Sequence, residues 1–192
     1  MTLGRNLVLV FLFFFGSYTA NYAQKRPSKI GHNKRSLHDV AFTHKQIYGM
    51  SCIPMAVEMV LKYNNRVGLN YYGLQNSWKN KADGTFGNFD GKVIRGLKFR
   101  HQFNIKRSDN FPVDQLFKTI DSELAAGRKV IVSLSSGFNL WHMYVIDTKM
   151  KQGDYVAYSR FFNDRKLITK EYVKRAIREF QGTDILTYSM VN

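Results

Sequence analysis

The stretch Gln46-Ile47-Tyr48-Gly49-Met50-Ser51-Cys52-Ile53-Pro54 decides how this chain folds, because a long apolar run follows it directly. Ser51 can cap a helix, and Pro54 suits a first helical turn, so the pattern predicts a helix over residues 51–63. Only two charged residues interrupt the apolar surface of this helix. We therefore expect it to lie at the centre of the fold, buried on most sides.

Cys52 is the only cysteine of the 192 residues, and it stands where the predicted helix begins. A helix N-terminus carries roughly half a positive charge and unpaired amides, which lower the pKa of a thiol and favour the nucleophilic thiolate. A free cysteine is more often a small buried hydrophobe, so a structural interpretation stands beside the catalytic one. A single cysteine forms no disulfide within the chain, and the fold must be stable without one.

The N-terminal segment, residues 1–23, has the pattern of a secretory signal peptide. One charge, Arg5, precedes a short apolar stretch and small residues, with cleavage expected after Ala23 and Ala20 as the alternative. The apolar stretch is too short to span a bilayer. We therefore expect a secreted or periplasmic protein, with no transmembrane span in the mature chain and enough residues for one domain.

Residues 24–40 form a basic arm in this interpretation. The chain has 29 Lys and Arg residues against 14 Asp and Glu residues, and residues 25–35 contain five positive charges and no acid. We expect the arm to be flexible and solvated, with attraction to an anionic surface as its functional alternative. Nucleic acid is not an expected partner, because the export signal argues against it and no binding motif is recognisable.

Residues 41–192 predict one α+β domain, in which helices come first and antiparallel strands follow. Besides the central helix, helices are predicted over residues 71–79, 92–101, 112–126 and 169–180, and a glycine-rich loop over residues 82–91. Strands are predicted over residues 129–134, 142–146 and 155–158, with a hairpin turn between the last two. Residues 185–190 alternate apolar and polar side chains and are expected to close an edge of the sheet.

Five histidines are available as a base for Cys52, and His142 is the strongest candidate. It begins a predicted strand directly after the loop of residues 135–141, so its side chain can face a cleft while the strand holds it rigidly. A hydrogen-bonded core histidine is an equally common outcome for such a residue considered alone. The histidines lack metal-binding spacings such as H-E-x-x-H, so we expect no metal, and no cofactor-binding loop is recognisable.

Four features follow one another along the chain: Gln46 six residues before Cys52, the helix opening Ser51-Cys52-Ile53-Pro54, Gly84-Thr85, and residues 127–133 leading to His142. Together they resemble the bacteriocin-processing peptidases, papain-like cysteine peptidases that cut double-glycine leaders, over residues 46–180. The resemblance implies a papain-like fold, with an N-terminal helical half packed on an antiparallel sheet. It also implies that Cys52 is the nucleophile, His142 the general base, and Gln46 an oxyanion-hole donor beside the Cys52 amide.

Two positions differ from the pattern of that family. Ile53 stands where the family usually has glycine, which narrows the space beside the thiol. The third triad member is usually Asp or Asn at the end of the strand after His142, and the hairpin register places Ser159 there. A hydroxyl orients imidazole less firmly than a carboxylate, and Asn163 or Asp164 could take the role if the strand bulges.

The sequence therefore predicts a secreted cysteine peptidase that acts on a peptide or protein substrate through a Cys–His dyad or a weakened triad. An inactive papain-like binding protein is the alternative, because a fold does not fix a function. Cell-wall amidases and endopeptidases, and transglutaminases, share the same order of cysteine and histidine. A basic arm would suit an anionic wall polymer.

Overall fold

The structure, a computed structural model, describes residues 34–137, 140–163 and 166–191. In this part of the chain five α-helices and seven strands are present, and the strands form a single antiparallel sheet. The prediction of a mixed α+β fold is confirmed. The predicted signal peptide and most of the basic arm lie outside the described residues, as does Asp164.

The helices are α1 (Leu37–Thr43), α2 (Cys52–Tyr63), α3 (Gly73–Trp78), α4 (Val113–Ala125) and α5 (Val173–Glu179), with one short 3-10 turn at Phe86–Asn88. The strands are β1 (Val93–Ile94), β2 (Leu97–Gln102), β3 (Val130–Gly137), β4 (Leu140–Lys149), β5 (Tyr155–Ser159), β6 (Ile168–Lys170) and β7 (Ile185–Met190). Their order across the sheet is β1-β2-β7-β3-β4-β5-β6.

Helix α2 is the predicted central helix, and the structure confirms it. Every residue after Cys52 in this helix is buried, and only Cys52, in the first turn, is partly exposed. The helix packs on β4, with α1 and α3 on its flanks. Because α2 is apolar nearly all round, neighbours on several sides are needed to remove its surface from water.

The sheet separates two apolar cores. On the α2 face, the core includes Met143 and Val145 of β4. On the opposite face, Tyr144 and Ile146 of the same strand pack with residues of α4 and α5. This division follows from the two-residue period of a strand, so position along β4 tells which face a side chain occupies.

Residues 92–101, predicted as a helix, form a hairpin instead. Ile94 pairs with Leu97, which leaves Arg95 and Gly96 as a two-residue turn. Both turn residues have positive φ, 51° and 76°, and such turns match the twist of a hairpin. The apolar residues that suggested a helical face are divided between β1, the turn and β2, where alternate residues are buried.

Three further boundaries differ from the predictions. The helix predicted over residues 169–180 begins only at Val173, because residues 168–170 pair with β5 as β6. Strand β7 matches the predicted strand at 185–190, but it lies between β2 and β3 and not at an edge. Helix α1 includes residues 37–40, which were predicted to belong to the flexible arm, and its Leu37 and Val40 are buried.

The other predicted elements are confirmed with small changes in their bounds. These are the helices at 71–79 and 112–126, the loop at 82–91 apart from its 3-10 turn, and the strands at 129–134, 142–146 and 155–158. None of the helices in the described ranges has the length and apolar character needed to cross a membrane.

Candidate active site

The antiparallel pairing of β4 with β5 brings the start of one strand beside the end of the other. His142 lies near the start of β4 and Ser159 is the last residue of β5, and both are buried. Cys52 is the first residue of α2, which packs on β4. Gln46 lies in the loop between α1 and α2 and is also buried.

The hydrogen bonds of His142 settle which ring nitrogen carries the proton. The Oγ of Ser159 lies 2.8 Å from Nε2 and donates its single proton to the carbonyl oxygen of Met143. The carbonyl oxygen of Arg160 lies 3.1 Å from the same nitrogen and can only accept. Both partners of Nε2 are acceptors, so Nε2 carries the proton and the lone pair is on Nδ1.

Ser159 thus holds the ring from the position that the hairpin register predicted. The Arg160 carbonyl is a second partner, and sequence reasoning missed it because a main-chain acceptor leaves no signature in residue types. The described contacts of His142 do not include Asn163, which lies in a turn beyond β5 with a φ of 61°. Asp164 lies outside the described residues.

Burial determines the protonation state of His142, whose residue is 5% exposed. Removal from water lowers the pKa of the imidazole to about 4, and the Arg160 carbonyl opposes this shift only in part. The ring packs at 4.1 Å from the Phe161 ring and edge-on to Tyr144. At neutral pH His142 is therefore a neutral base.

Burial also has the largest effect on the pKa of Cys52. It raises the pKa of the thiol, whereas hydrogen bonds from the amides of Ile53, Cys52 and Met143 lower it by less. The expectation that a helix start would lower the pKa of this thiol is wrong in its net direction. The helix amides do act as expected, but the apolar surroundings outweigh them, and the thiol is protonated at neutral pH.

The Cys52 thiol meets β4 at the amide of Met143, the residue next to His142. The Met143 side chain belongs to the core on the α2 face, whereas the His142 ring packs beside Tyr144 of the other core. Within the described ranges, no hydrogen bond joins the thiol to the imidazole. Cys52 therefore reaches the backbone of the strand that carries His142, without a hydrogen bond between the two reactive groups.

The side-chain amide of Gln46 is engaged within its own loop. Its Nε2 donates to the carbonyl oxygens of Tyr48 and Gly49, each at 2.9 Å. Exchanging the amide oxygen and nitrogen would place Oε1 against those two carbonyl oxygens, so this orientation is fixed. Oε1 is buried without a hydrogen-bond partner among the described residues. In this state Gln46 has no proton left to donate towards the thiol.

Comparisons of the chain with profiles of known protein families, with curated proteins and with solved structures gave no match. In the described ranges, no group of three or more His, Cys, Asp or Glu side chains is arranged to hold a metal ion. Function is therefore inferred from the geometry of the site together with the sequence pattern.

Proposed function

We propose that this protein is a secreted cysteine peptidase of the papain-like class that resembles the bacteriocin-processing peptidases. The main support for the proposal is the hydrogen bonding of the His142 ring, which shows which nitrogen carries the proton. Nε2 donates to Ser159 and Arg160, so the one lone pair of the ring is on Nδ1. A neutral base with one free nitrogen, on the strand whose backbone meets a lone cysteine, supplies the two groups that thiol activation needs.

The reaction starts from a neutral thiol and a neutral imidazole, because burial raises one pKa and lowers the other. Nδ1 of His142 takes the thiol proton while Sγ of Cys52 attacks the peptide carbonyl carbon, and the imidazolium then protonates the leaving amine. Water attacks the resulting thioester with the imidazole again as base. In the free protein Ser159 accepts from Nε2, which keeps the ring in the tautomer with its lone pair on Nδ1.

Two adjustments accompany substrate binding in this mechanism. Nδ1 and Sγ come within hydrogen-bond distance, which requires the start of β4 to move, because the thiol meets the Met143 backbone whereas the His142 ring packs beside Tyr144. The amides of Cys52 and Met143, which contact the sulfur in the free protein, are donors for the oxyanion. Gln46 joins them only if its side chain leaves the carbonyl oxygens of Tyr48 and Gly49.

The test is hydrolysis of a peptide library, including double-glycine sequences and cell-wall stem peptides, followed by mass spectrometry. We expect Cys52→Ala and His142→Ala to abolish cleavage. His38→Ala is the matched control, because the His38 side chain is 52% exposed and bonded only locally. Full activity in Cys52→Ala would overturn the proposal.

A catalytically inactive binding protein is the second candidate, and the state of Gln46 favours it. Both amide protons of Gln46 are engaged in its loop, and the thiol has no hydrogen bond to the imidazole. This candidate predicts that the wild type and Cys52→Ala bind the same peptides equally well and that neither cuts them. Calorimetry with the library used for hydrolysis separates the two functions.

Export and surface attraction are part of the same proposal. The N-terminal pattern supports cleavage after residue 23, and the basic arm at 24–40 supports attraction to an anionic surface. Intact-mass measurement of the exported protein tests the cleavage. Binding to anionic vesicles or wall polymer, before and after removal of the arm, tests the attraction, which should weaken as salt is added.

A further inference from the structure

A cluster of buried polar side chains lies beside the loop of residues 44–51, and the proposed chemistry does not use it. Its members are His44, Glu58, Lys62 and Gln75, none of them more than 1% exposed. They come from α2, α3 and the loop itself. Buried charged groups are costly unless they are paired and hydrogen-bonded, so this cluster calls for an explanation.

The hydrogen bonds within the cluster indicate which atoms carry protons. Lys62 Nζ lies 2.8 Å from Nδ1 of His44, and a lysine can only donate, so Nδ1 is the acceptor. The proton of His44 is then on Nε2, which lies 3.4 Å from Oε2 of Glu58. Burial lowers the pKa of both Lys62, to about 8, and His44. Lys62 therefore donates to His44, and His44 donates to the carboxylate of Glu58.

Glu58 uses that carboxylate to cap helix α3. Its Oε1 accepts from the backbone amides of Leu74, at 2.9 Å, and Gln75, at 3.1 Å. The residue before α3, Tyr72, provides no side-chain cap of its own. A carboxylate from α2 therefore satisfies the free amides of the first turn of α3 and holds that turn against α2.

Gln75 joins the first turn of α3 to the loop before Cys52 through hydrogen bonds of its side chain. Its Nε2 donates to Oε2 of Glu58, at 2.8 Å, and to the carbonyl oxygen of Lys45, at 2.9 Å. Its Oε1 accepts from the amide of Ile47, at 2.9 Å, and from Oγ of Ser51, at 2.8 Å. One side chain thus holds the loop at three points, the last of them next to Cys52.

We propose that Gln75 is a positioning residue for Cys52. Gln75 fixes the loop of residues 44–51, and the loop in turn fixes the thiol at the first turn of α2. Glu58, supported by His44 and Lys62, fixes Gln75 in turn. The proposal rests on the proposed function, because it takes Cys52 as the reactive group. Its test needs no substrate.

The experiment is alkylation of the full chain by iodoacetamide across a range of pH. Cys52 is the only thiol, so the label reports on it alone. Gln75→Leu keeps a similar volume and removes every hydrogen bond of the Gln75 side chain. We expect Gln75→Leu to react at least about tenfold faster at neutral pH, with its alkylation midpoint nearer to that of the unfolded chain, because the released loop admits water to the thiol.

Ser77→Ala is the matched control. Ser77 lies in the same helix, is exposed, and bonds only within α3 through the Gly73 carbonyl oxygen. We expect its alkylation rate and midpoint to equal those of the wild type. Hydrogen exchange at the Ile47 amide gives a second readout, because that amide should lose protection in Gln75→Leu only.

A charge exchange distinguishes positioning from a general loss of packing. Gln75→Glu places a second carboxylate against Glu58 and should resemble Gln75→Leu. The double variant Gln75→Glu with Glu58→Gln restores a donor between these two side chains, although the Lys45 carbonyl oxygen then faces a carboxylate. We expect its alkylation rate to lie between those of Gln75→Glu and the wild type.

Unchanged alkylation in a folded Gln75→Leu variant, or a double variant no closer to the wild type than Gln75→Glu, would overturn the proposal. If Gln75→Leu does not fold, Ser51→Ala removes one hydroxyl of the same contact set and should accelerate labelling by a smaller factor. No acceleration in Ser51→Ala would then be decisive against it. A protein that passes these tests yet cuts no peptide contradicts the proposed hydrolysis alone.

Discussion

Ser159 is fully buried, and its one proton is already donated to the carbonyl oxygen of Met143. A carboxylate at this position would face that carbonyl oxygen without a proton to offer it. The strong hydrogen-bond donor to this carboxylate would be Nε2 of His142, and only a protonated imidazole would balance the negative charge of the carboxylate. The hydroxyl is therefore matched to a neutral histidine, and the aspartate usual in the resembled family is not a simple improvement here.

We predict that Ser159→Asp raises the pKa of His142 well above about 4 and lowers the free energy of unfolding by about 2–4 kcal/mol. An NMR titration of the His142 ring protons and urea unfolding measure the two effects. Ser136→Asp is the control, because Ser136 is exposed on β3. A variant as stable as the wild type, with an unchanged His142 titration, would show that the buried hydroxyl is not needed.

At Cys52 we predict that alkylation of the folded wild type has its midpoint above about 8.5, the ordinary value of a cysteine thiol. Burial raises the pKa more than the nearby amides lower it. The chain unfolded in urea provides the reference, since its thiol is fully solvated. A folded-state midpoint below that reference would mean that an ion pair with His142 forms without substrate.

Two buried histidines, His142 and His44, should make the protein acid-sensitive, because burial lowers the pKa of both. Below pH about 6.5 the two histidines bind protons in the unfolded chain, whereas in the native state their buried rings stay neutral. The free energy of unfolding therefore falls as pH drops from about 6.5 towards 4, and His142 accounts for up to about 3 kcal/mol of the loss.

Urea unfolding at several pH values tests this sensitivity. His142→Gln should show a shallower loss of stability between pH about 6.5 and 4 than the wild type, because one of the two groups is gone. His38→Gln, at an exposed site, should keep the wild-type slope. Parallel curves for the wild type and His142→Gln would contradict the assignment of a buried neutral imidazole.

At the scale of elements, Arg160 joins the end of β5 to helix α1. Its Nη1 donates to the carbonyl oxygens of Phe42, at 2.9 Å, and Ala41, at 3.4 Å, in the last turn of α1. A cation at this end of a helix interacts favourably with its dipole. Because the backbone carbonyl of Arg160 accepts from His142, one residue supports both the helix and the site.

We predict that Arg160→Met lowers the free energy of unfolding by about 2–3 kcal/mol, because the last carbonyl groups of α1 lose a buried donor. Arg175→Met should change it by less than about 0.5 kcal/mol, since that side chain forms an exposed pair with Glu179 and lies over the exposed ring of Tyr172. Urea unfolding measures both. Equal effects of the two substitutions would contradict a special role for Arg160.

The elements show where sequence reasoning succeeds and where it fails. The apolar surface of α2 extends over three turns, and no alternative structure could bury it, so that helix was predictable. The β1–β2 hairpin was missed because Arg95 occupies a turn position where asparagine is the usual signal. Helix α1 was missed because basic residues before it suggested a flexible arm, while Leu37 and Val40 are the residues it buries.

The site was predictable only in part, for a similar reason. Residue types and spacing point to Cys52, His142 and Ser159, and the last two are in contact. The carbonyl of Arg160 and the state of Gln46 depend on backbone geometry, which residue identity does not encode. The net pKa shift of Cys52 depends on how closely neighbours far along the chain pack around it.

At the scale of the whole molecule, β7 determines whether the sheet exists as one unit. It pairs with β2 on one side and β3 on the other, and its Ile185, Leu186 and Tyr188 are buried. No other pairing in the described part of the chain links those two strands. The position was not predictable, because it depends on pairing between residues far apart along the chain.

We predict that a chain ending at Thr183 does not fold cooperatively, because it lacks the strand that joins the two halves of the sheet. A chain ending at Met190 should fold, since it keeps every residue of β7. Near-UV circular dichroism and urea unfolding distinguish these outcomes. A cooperative transition in the shorter chain would show that the two halves are stable without their connection.

The late position of β7 in the chain also affects biosynthesis. While a ribosome is still making the segments before β7, β2 and β3 each have an edge whose final partner has not been synthesised. Unpaired edges are templates for association with other chains, so the nascent protein is most prone to aggregate before this strand emerges. A chaperone that covers these edges during translation would protect it during that interval, and closure of the sheet would end the need for that protection.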